Sequence, residues 1–126
     1  MTTNELVAII DRYNDAWDRQ DLDAIAAHHA ADIVFHNYTA GERVTGADAV
    51  INHIAAIFDH WPDLRFRSRR RYTGENFVVS EWTATATDLE GRRLEWDGID
   101  VFPFRGLLIA RKDVYSSAKT ARILTG

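Results

Sequence analysis

The sequence predicts an α+β fold in which a curved, mixed β-sheet packs on three helices and encloses an apolar pocket, giving the domain a cone shape. Two observations predict this fold. Apolar residues recur at three- and four-residue spacing in much of the first half of the chain, whereas the second half alternates with a period of two. The length of 126 residues is typical of one domain, so residues 1–126 are interpreted as a single unit.

The first half contains the helical signals. The predicted elements are a helix over 3–19, a short helix after Asp21, strands over 33–38 and 43–45, and a helix over 47–60. Asp21 is a good N-cap, since its carboxylate can accept from the first backbone N–H groups of the helix. The third helix ends at Trp61, because the residue before a proline is disfavoured in helical conformation.

The second half contains the strand signals. The predicted elements are strands over 64–72, 77–87, 93–104 and 107–116, followed by a closing helix over 117–124. Helices followed by a run of consecutive strands are typical of helices packed on one face of a sheet. Strands of this length must curl around the helices, and the curl leaves a cavity between the two layers.

Composition and charge exclude several classes of function. The net charge of −4 disfavours a nucleic-acid-binding protein, and no apolar run approaches the roughly 20 residues of a membrane helix. The chain contains no cysteine and shows no secretory signal, so a cytoplasmic location is the default expectation. The scattered histidines lack acidic partners at ligand spacing, so neither a metal site nor a cofactor is predicted.

Alternation places a set of aromatic side chains on one face of the sheet. Residues two apart on a strand share a face, and this groups Trp96 with Asp100 and Phe102, and Phe35 with Asn37. Trp82 on the preceding strand and Trp17 on the first helix complete the predicted wall. The small residue Gly98 beside these rings indicates room for a ligand, although the same pattern also fits a plain aromatic core.

Asp100 is the most informative single residue, because it stands inside an apolar strand between Ile99 and Val101. Desolvation there favours the protonated carboxyl group, which suits an acid or base that works near neutral pH. The alternative is a structural ion pair with Lys112, which would hold the carboxylate in its ionised form.

Three segments resemble a known family. They are the tyrosine at position 13, the stretch Ala31-Asp32-Ile33-Val34-Phe35-His36-Asn37, and the stretch Trp96-Asp97-Gly98-Ile99-Asp100-Val101-Phe102. Together they resemble the SnoaL-like branch of the nuclear transport factor 2-like superfamily, over nearly the whole chain. That superfamily includes polyketide cyclases, ketosteroid isomerases and limonene epoxide hydrolases, so the resemblance implies the cone-shaped fold and leaves the reaction open.

The resemblance implies roles for individual residues. Tyr13 and Asp100 fall where ketosteroid isomerases bind an oxyanion, but their general base falls at Asn37, whose amide cannot take a proton. Limonene epoxide hydrolases carry an arginine and an aspartate where this chain has Trp82 and Ala84, so their route is disfavoured. SnoaL-like cyclases use one aspartate in an aromatic pocket, and Asp100 fits that position.

The register of the last long strand has two solutions. Comparison with isomerase relatives places Lys112 inward, whereas comparison with hydrolase relatives places Asp113 inward, and a β-bulge would decide between them. We favour Lys112. His53 on the third helix is a candidate proton shuttle at the cavity, with a half-exposed helix histidine as the alternative.

These observations predict a small cofactor-independent enzyme that moves a proton on a hydrophobic, carbonyl-bearing substrate such as a polyketide or terpenoid, as an isomerase, cyclase or lyase. The predicted catalytic residues are Asp100, Tyr13, Asn37, His53 and Lys112, and the predicted substrate-binding residues are Trp17, Phe35, Trp82, Trp96 and Phe102. The alternatives are a non-catalytic binder of hydrophobic small molecules and an epoxide hydrolase with a non-standard site.

The outer face of the sheet predicts a homodimer. Val79, Ile99 and Val101 lie opposite the pocket, where a monomer would expose them to water. The alternating arginines over 65–71 are interpreted as part of this outer face, either paired with acidic residues of neighbouring strands or part of a dimer contact. Neither nucleic acid nor a membrane is an expected partner.

Overall fold

Three helices form one layer of the computed structural model, which describes residues 3–125. They are α1 (Thr3–Asp18), α2 (Leu22–Ala26) and α3 (Ala47–His60). Asp21 caps α2 as predicted, since its carboxylate accepts a hydrogen bond of 3.1 Å from the backbone N–H of Ala24. None of the helices in the described part of the chain is both long and apolar enough to cross a membrane.

Seven strands form one curved sheet. They are β1 (His29–Asn37), β2 (Glu42–Thr45), β3 (Arg65–Thr73), β4 (Phe77–Thr87), β5 (Arg93–Arg105), β6 (Leu108–Ser116) and β7 (Arg122–Thr125). The order is β2-β1-β6-β5-β4-β3, with β7 added beside β5. Only the β1–β6 pair is parallel among the described strand pairs. The predicted α+β fold with a mixed, curved sheet on three helices is therefore confirmed.

The core lies between the inner face of the sheet and the helices. One buried side of α1 faces it, through Leu6, Ile10, Tyr13 and Trp17. The sheet contributes fully buried residues such as Ile33, Val78 and Phe102. Burying apolar side chains between these two layers is the main stabilising contribution to such a fold.

The predicted closing helix over 117–124 is wrong. The chain forms a single 3₁₀ turn, Ala118–Thr120, and then β7, in which Ile123 lies opposite Leu94 of β5. Arg122 also binds two carboxylates of β5, at 2.9 Å from both Glu95 Oε1 and Asp97 Oδ2. Pairing with β5 satisfies backbone groups and side chains that a short terminal helix would leave to water.

The predicted arginine stripe of β3 is interrupted by a register shift between Ser68 and Arg71. Arg70 then lies on the outer face, with Nε 2.7 Å from Glu81 Oε1. Arg71 turns to the helix side instead, with Nε 3.1 Å from Asp11 Oδ1 of α1. Because a shift by one residue moves a side chain to the opposite face, the interpretation of Arg71 as an outer-face residue is corrected.

Candidate functional site

Two cavities meet at one group of side chains inside the cone. The larger, of about 320 Å³, is here called the polar pocket, and its own lining is Asp11, Asn14, Asp15, Asp18, Ser68 and Arg71. The other, of about 290 Å³, is here called the aromatic chamber, and its own lining includes Phe35, Asn37, Trp61, Leu94, Trp96 and Val114. Both are lined by Trp17, Phe66, Trp82, Asp100 and Lys112. These five shared residues are the centre of the candidate site.

A buried ion pair occupies this centre. Lys112 Nζ donates to Asp100 Oδ2 at 3.1 Å, and the two residues are only 5% and 4% exposed. A buried charge is costly unless it is paired, so each group stabilises the ionised form of the other. Of the two interpretations of Asp100 given above, the structure thus shows the ion pair with Lys112.

Aromatic rings surround the ammonium group of Lys112. Its Nζ lies 4.5 Å from the ring centroid of Trp17, 4.9 Å from that of Phe102 and 5.2 Å from that of Tyr13. Such contacts stabilise a cation through the negative face of the ring. Burial nevertheless lowers the pKa of Lys112, and the carboxylate of Asp100 opposes this shift.

The second carboxylate oxygen of Asp100 is unpaired. Oδ1 is buried and accepts no hydrogen bond from any residue in the described range 3–125. The indole N–H of Trp82, another shared residue, is also buried without a partner there. Buried polar atoms without a partner are costly. Asp100 Oδ1 is therefore an acceptor, and the Trp82 indole N–H a donor, that a ligand with complementary groups could satisfy.

Strand pairing explains how these side chains come together. Asp100 is paired with Val114 on one side and with Ser80 on the other, and the same row continues to Asn37 and Arg71. These five inner-face residues, on five strands, are here called the transverse row. One end of the row, Asn37, lies in the aromatic chamber, and the other end, Arg71, lies in the polar pocket.

The register of β6 places Lys112 inward. A register shift between Val101 and Phe104 of β5 accompanies this pairing. Asp113 points to the outer face, where its Oδ1 accepts from Arg111 Nη2 at 2.8 Å. The interpretation that favoured Lys112 over Asp113 therefore agrees with the observed register.

Four of the five predicted wall residues line a cavity. Trp17 and Trp82 line both cavities, and Phe35 and Trp96 line the aromatic chamber. The fifth, Phe102, is fully buried beneath Lys112 and Tyr13. Phe102 thus lines neither of the two cavities, and its role as a substrate-binding residue stays a prediction.

Gly98 has a different role from the one predicted. A Cβ atom at this position would overlap the six-membered ring of Trp82, its partner on β4. The space beside Gly98 is therefore filled by the protein's own indole and not by a ligand. Gly98 lets Trp82 lie flat against the sheet, which sets the shape of the wall shared by both cavities.

Tyr13 is not directed at either cavity. It is fully buried, and a hydrogen bond of 2.9 Å joins its hydroxyl group to Nε2 of His29. Burial raises the pKa of Tyr13, so the hydroxyl stays protonated. The structure thus does not place this hydroxyl where the resemblance implied an oxyanion contact; its ring instead packs against Lys112.

Asn37 and His53 differ in placement. Asn37 lines the aromatic chamber, and its Oδ1 accepts a hydrogen bond of 3.0 Å from the backbone N–H of Ala40. This bond leaves the Asn37 amide N–H groups as donors on the chamber wall. His53 instead packs edge-on against Phe35, with Nε2 3.6 Å from Glu42 Oε1. Its position behind Phe35 does not support the role of proton shuttle.

Sequence reasoning missed the polar pocket. Asn14 on α1 donates to the buried hydroxyl group of Ser80 at 3.1 Å, and Arg71 crosses from the sheet to Asp11 on the same helix. The only available signal was the recurrence of aspartates and Asn14 on α1 at helical spacing, which resembles an ordinary solvated helix face. Within residues 3–125, no three histidine, aspartate or glutamate side chains are placed to share a metal ion.

The buried His29 predicts a pH-dependent stability. Burial lowers the pKa of His29 from 6.5 to about 4, with a smaller effect from the charge of Lys112. Between these values the unfolded chain binds a proton and the folded chain does not, so the free energy of unfolding falls as the pH falls. We expect the free energy of unfolding to fall by about 3 kcal/mol once the pH has dropped from above the unfolded-state pKa to the folded-state pKa of His29.

Denaturant unfolding between pH 7 and pH 4 measures this loss. The variant His29→Gln, which keeps an acceptor for Tyr13, is expected to flatten the profile. His60→Gln at the exposed end of α3 is the control for the loss of one histidine. An unchanged slope in His29→Gln would show that other groups cause the dependence.

A family model and several solved structures match this chain. Residues 10–112 match the model of the SnoaL-like domain family, which confirms the resemblance described above. A provisionally named SnoaL-like polyketide cyclase from Jannaschia sp. CCS1 is 16% identical with a TM-score of 0.85, over 94% of this chain and 89% of that chain. No curated protein matches the sequence.

Two further structures give the same result. A provisionally named ketosteroid isomerase from Kribbella flavida DSM 17836 is 19% identical with a TM-score of 0.76, over 90% of this chain and 78% of that chain. An NTF2-like protein of unknown function from Burkholderia pseudomallei K96243 is 19% identical with a TM-score of 0.84, over 95% of both chains. At these identities the likeness shows the fold alone.

Proposed function

Because the chain belongs to the SnoaL-like domain family, we propose that it is a small enzyme that moves a proton on a hydrophobic, carbonyl-bearing molecule. The substrate class is a polyketide or terpenoid, and the outcome is cyclisation, isomerisation or dehydration. Relatives of this fold include a provisionally named polyketide cyclase and a provisionally named ketosteroid isomerase, both of which fit such chemistry.

The proposal rests on one observation, which is that the two oxygens of the Asp100 carboxylate are held differently. Lys112 fixes one oxygen at 3.1 Å, whereas the other oxygen has no partner in the described part of the chain. A carboxylate held in this way has a defined orientation and one lone-pair-bearing oxygen left for a substrate proton. Asp100 therefore acts as the base, and Lys112 positions it.

The surrounding groups suit the charge that develops during proton removal. When Asp100 takes a proton from the carbon next to a carbonyl group, the electron pair moves to the carbonyl oxygen. The ammonium group of Lys112 and the unpaired indole N–H groups of Trp82 and Trp17 are candidate donors for that oxygen. Fixed donors in a site that excludes water stabilise an oxyanion by a few kcal/mol each, which is about 10²-fold or more in rate.

The aromatic chamber determines the size and polarity of the substrate. Its volume of about 290 Å³ lies near the lower end for small-molecule sites, which fits a molecule of one or two rings. The rings of Trp61 and Trp96 lie with their centroids 5.9 Å apart and their planes tilted by 55°, and Phe35 lines the same chamber. Flat apolar rings bind well against such surfaces.

Proton exchange in a model ketone tests the proposal. We expect the protein to accelerate exchange of the hydrogens next to the carbonyl group of 2-tetralone in D₂O, as measured by NMR. Quenching of tryptophan fluorescence measures binding of the same compound. Binding without accelerated exchange would reject the enzyme and favour a non-catalytic binding protein with the same cavity.

We also propose that the protein is a homodimer through the outer face of the sheet. Val79, Ile99 and Val101 lie half-buried on that face, and the rings of Tyr38 and Tyr115 stack beside them at 4.5 Å while 43% exposed. An apolar and aromatic patch of this kind is typical of an interface.

Sedimentation tests the dimer. We expect a species of twice 14.4 kDa at micromolar concentration, and Tyr115→Lys is expected to shift it to the monomer because it places a charge in the patch. Lys119→Arg, an exposed change outside this patch, is the control. A wild-type protein that sediments at 14.4 kDa would exclude the dimer.

A further inference from the structure

Lys112 has the surroundings of a reactive amine. The chain has two lysines, and Lys119 is exposed whereas Lys112 is 5% exposed and lines both cavities. Three aromatic rings and one carboxylate enclose its amino group. A desolvated lysine in an apolar site carries the neutral amine more readily than an exposed one, and the neutral amine is a nucleophile.

We propose that Lys112 forms a covalent imine with an aldehyde or ketone bound in the aromatic chamber. The reacting carbonyl group enters from the apolar side, where Trp61, Leu94 and Trp96 hold the hydrocarbon part of the molecule. This inference goes beyond the proposed proton transfer, because it requires only that a carbonyl compound reaches Lys112 Nζ.

Asp100 supplies the proton transfers that the condensation needs. Its carboxylate, 3.1 Å from Lys112 Nζ, first takes a proton from the ammonium group and leaves a neutral amine. The amine nitrogen then attacks the carbonyl carbon, the C–N bond forms, and the carbonyl electron pair moves to oxygen, which takes the proton from Asp100. Asp100 next removes a proton from the nitrogen and gives it to the departing hydroxyl group.

This step consumes one amine and one carbonyl compound and produces one imine and one water molecule. The C–O bond breaks as the nitrogen lone pair forms the C=N bond. The product is a protonated imine beside an ionised Asp100, so the buried pair keeps the charges that it has in the free protein. No oxidant or reductant takes part in the formation of the imine.

The polar pocket gives the released water a route out of the site. Lys112 and Asp100 line it together with hydrophilic side chains, among them Asn14, Ser68 and Arg71. The organic molecule and the water thus use opposite sides of the same ion pair. An apolar chamber on one side and a polar pocket on the other side suit a reaction that binds a hydrophobic carbonyl compound and expels water.

Reductive trapping with benzaldehyde and sodium cyanoborohydride tests the proposal. Hydride from the added reagent converts an imine to a stable benzyl amine, which peptide mass spectrometry locates at Lys112, Lys119 or the N-terminal amine. We expect Lys112 to be labelled faster than Lys119 in the folded protein, because burial lowers the pKa of Lys112 and thereby enlarges its fraction of neutral amine. The difference is expected to disappear in urea.

Three controls make the result specific. Lys119→Arg keeps the label on Lys112, and Lys112→Arg, which keeps a cation beside Asp100, removes it. Excess tetralin, a hydrocarbon of matching shape without a carbonyl group, is expected to slow labelling of Lys112 and not of Lys119. Labelling of Lys112 no faster than Lys119 in the folded protein would overturn the proposal.

The two functional proposals fail separately in these experiments. Benzaldehyde has no hydrogen on a carbon next to its carbonyl group, so its trapping does not depend on proton removal from carbon. Labelled Lys112 without exchange in 2-tetralone supports the imine and rejects the proton transfer. Accelerated exchange of 2-tetralone hydrogens with an unlabelled Lys112 supports the proton transfer and rejects the imine.

Discussion

Replacing Asp100 with asparagine is expected to slow exchange of 2-tetralone hydrogens by about 10²-fold or more, which is the usual effect of losing a positioned acid or base. The amide oxygen can still accept from Lys112, but it cannot take a proton from carbon. Affinity for the ketone, measured by tryptophan quenching, is expected to change much less, because the rings of the aromatic chamber are untouched.

Asp113→Asn is the matched control for this variant. It removes a carboxylate that is also ion-paired, to Arg111 at 2.8 Å, but from the outer face of β6. We expect wild-type exchange rates in that variant. A folded Asp100→Asn protein, with a normal melting transition and full exchange activity, would reject Asp100 as the base.

Replacing Lys112 with methionine is expected to lower the free energy of unfolding by about 3–5 kcal/mol, because it leaves the carboxylate of Asp100 buried without its cation. The residues are 5% and 4% exposed, so bulk water solvates the remaining carboxylate poorly. The double variant Lys112→Met with Asp100→Leu removes both charges, and its stability is expected to return to within about 1 kcal/mol of the wild type or to exceed it.

Urea unfolding of the wild type, of Lys112→Met, of Asp100→Leu and of the double variant completes this cycle. A strong coupling between positions 100 and 112 is the expected result. Equal stability of Lys112→Met and the double variant would show that the unpaired carboxylate costs little, and would contradict a tightly coupled pair. The double variant also serves as a folded protein without either proposed reactive group.

The sequence predicted the fold, and it predicted Asp100 and Lys112 at the centre of the candidate site. Alternation on β5 identified Asp100 as an inward carboxyl group among aromatic residues, and the resemblance to isomerase relatives favoured Lys112 beside it. The inference on Asp100 depends on the two-residue period of a strand, which is local and therefore readable from sequence. The period alone left Lys112 and Asp113 as alternatives on β6. The ion pair itself depends on strand neighbours, which the alternation of one strand does not specify.

The errors have a common physical cause. The inward turn of Arg71 follows from a register shift in β3, and the Tyr13–His29 hydrogen bond depends on β1 beginning at His29, several residues earlier than predicted. The filled space at Gly98 depends on how the Trp82 ring rotates. Register shifts, strand ends and rotamers are settled by tertiary packing, so the periodicity of the sequence does not report them.

The short terminal strand β7 has a consequence for the solution behaviour of the protein. β6 pairs with one edge of β5 as far as the Gly98–Ser116 pair. β7 pairs with the same edge from Glu95 to Arg93. Without β7 that edge would present free N–H and C=O groups at the rim of an apolar cavity, beside Leu94 and Trp96. An open strand edge is a template for pairing with other chains, so we expect β7 to protect the molecule against aggregation.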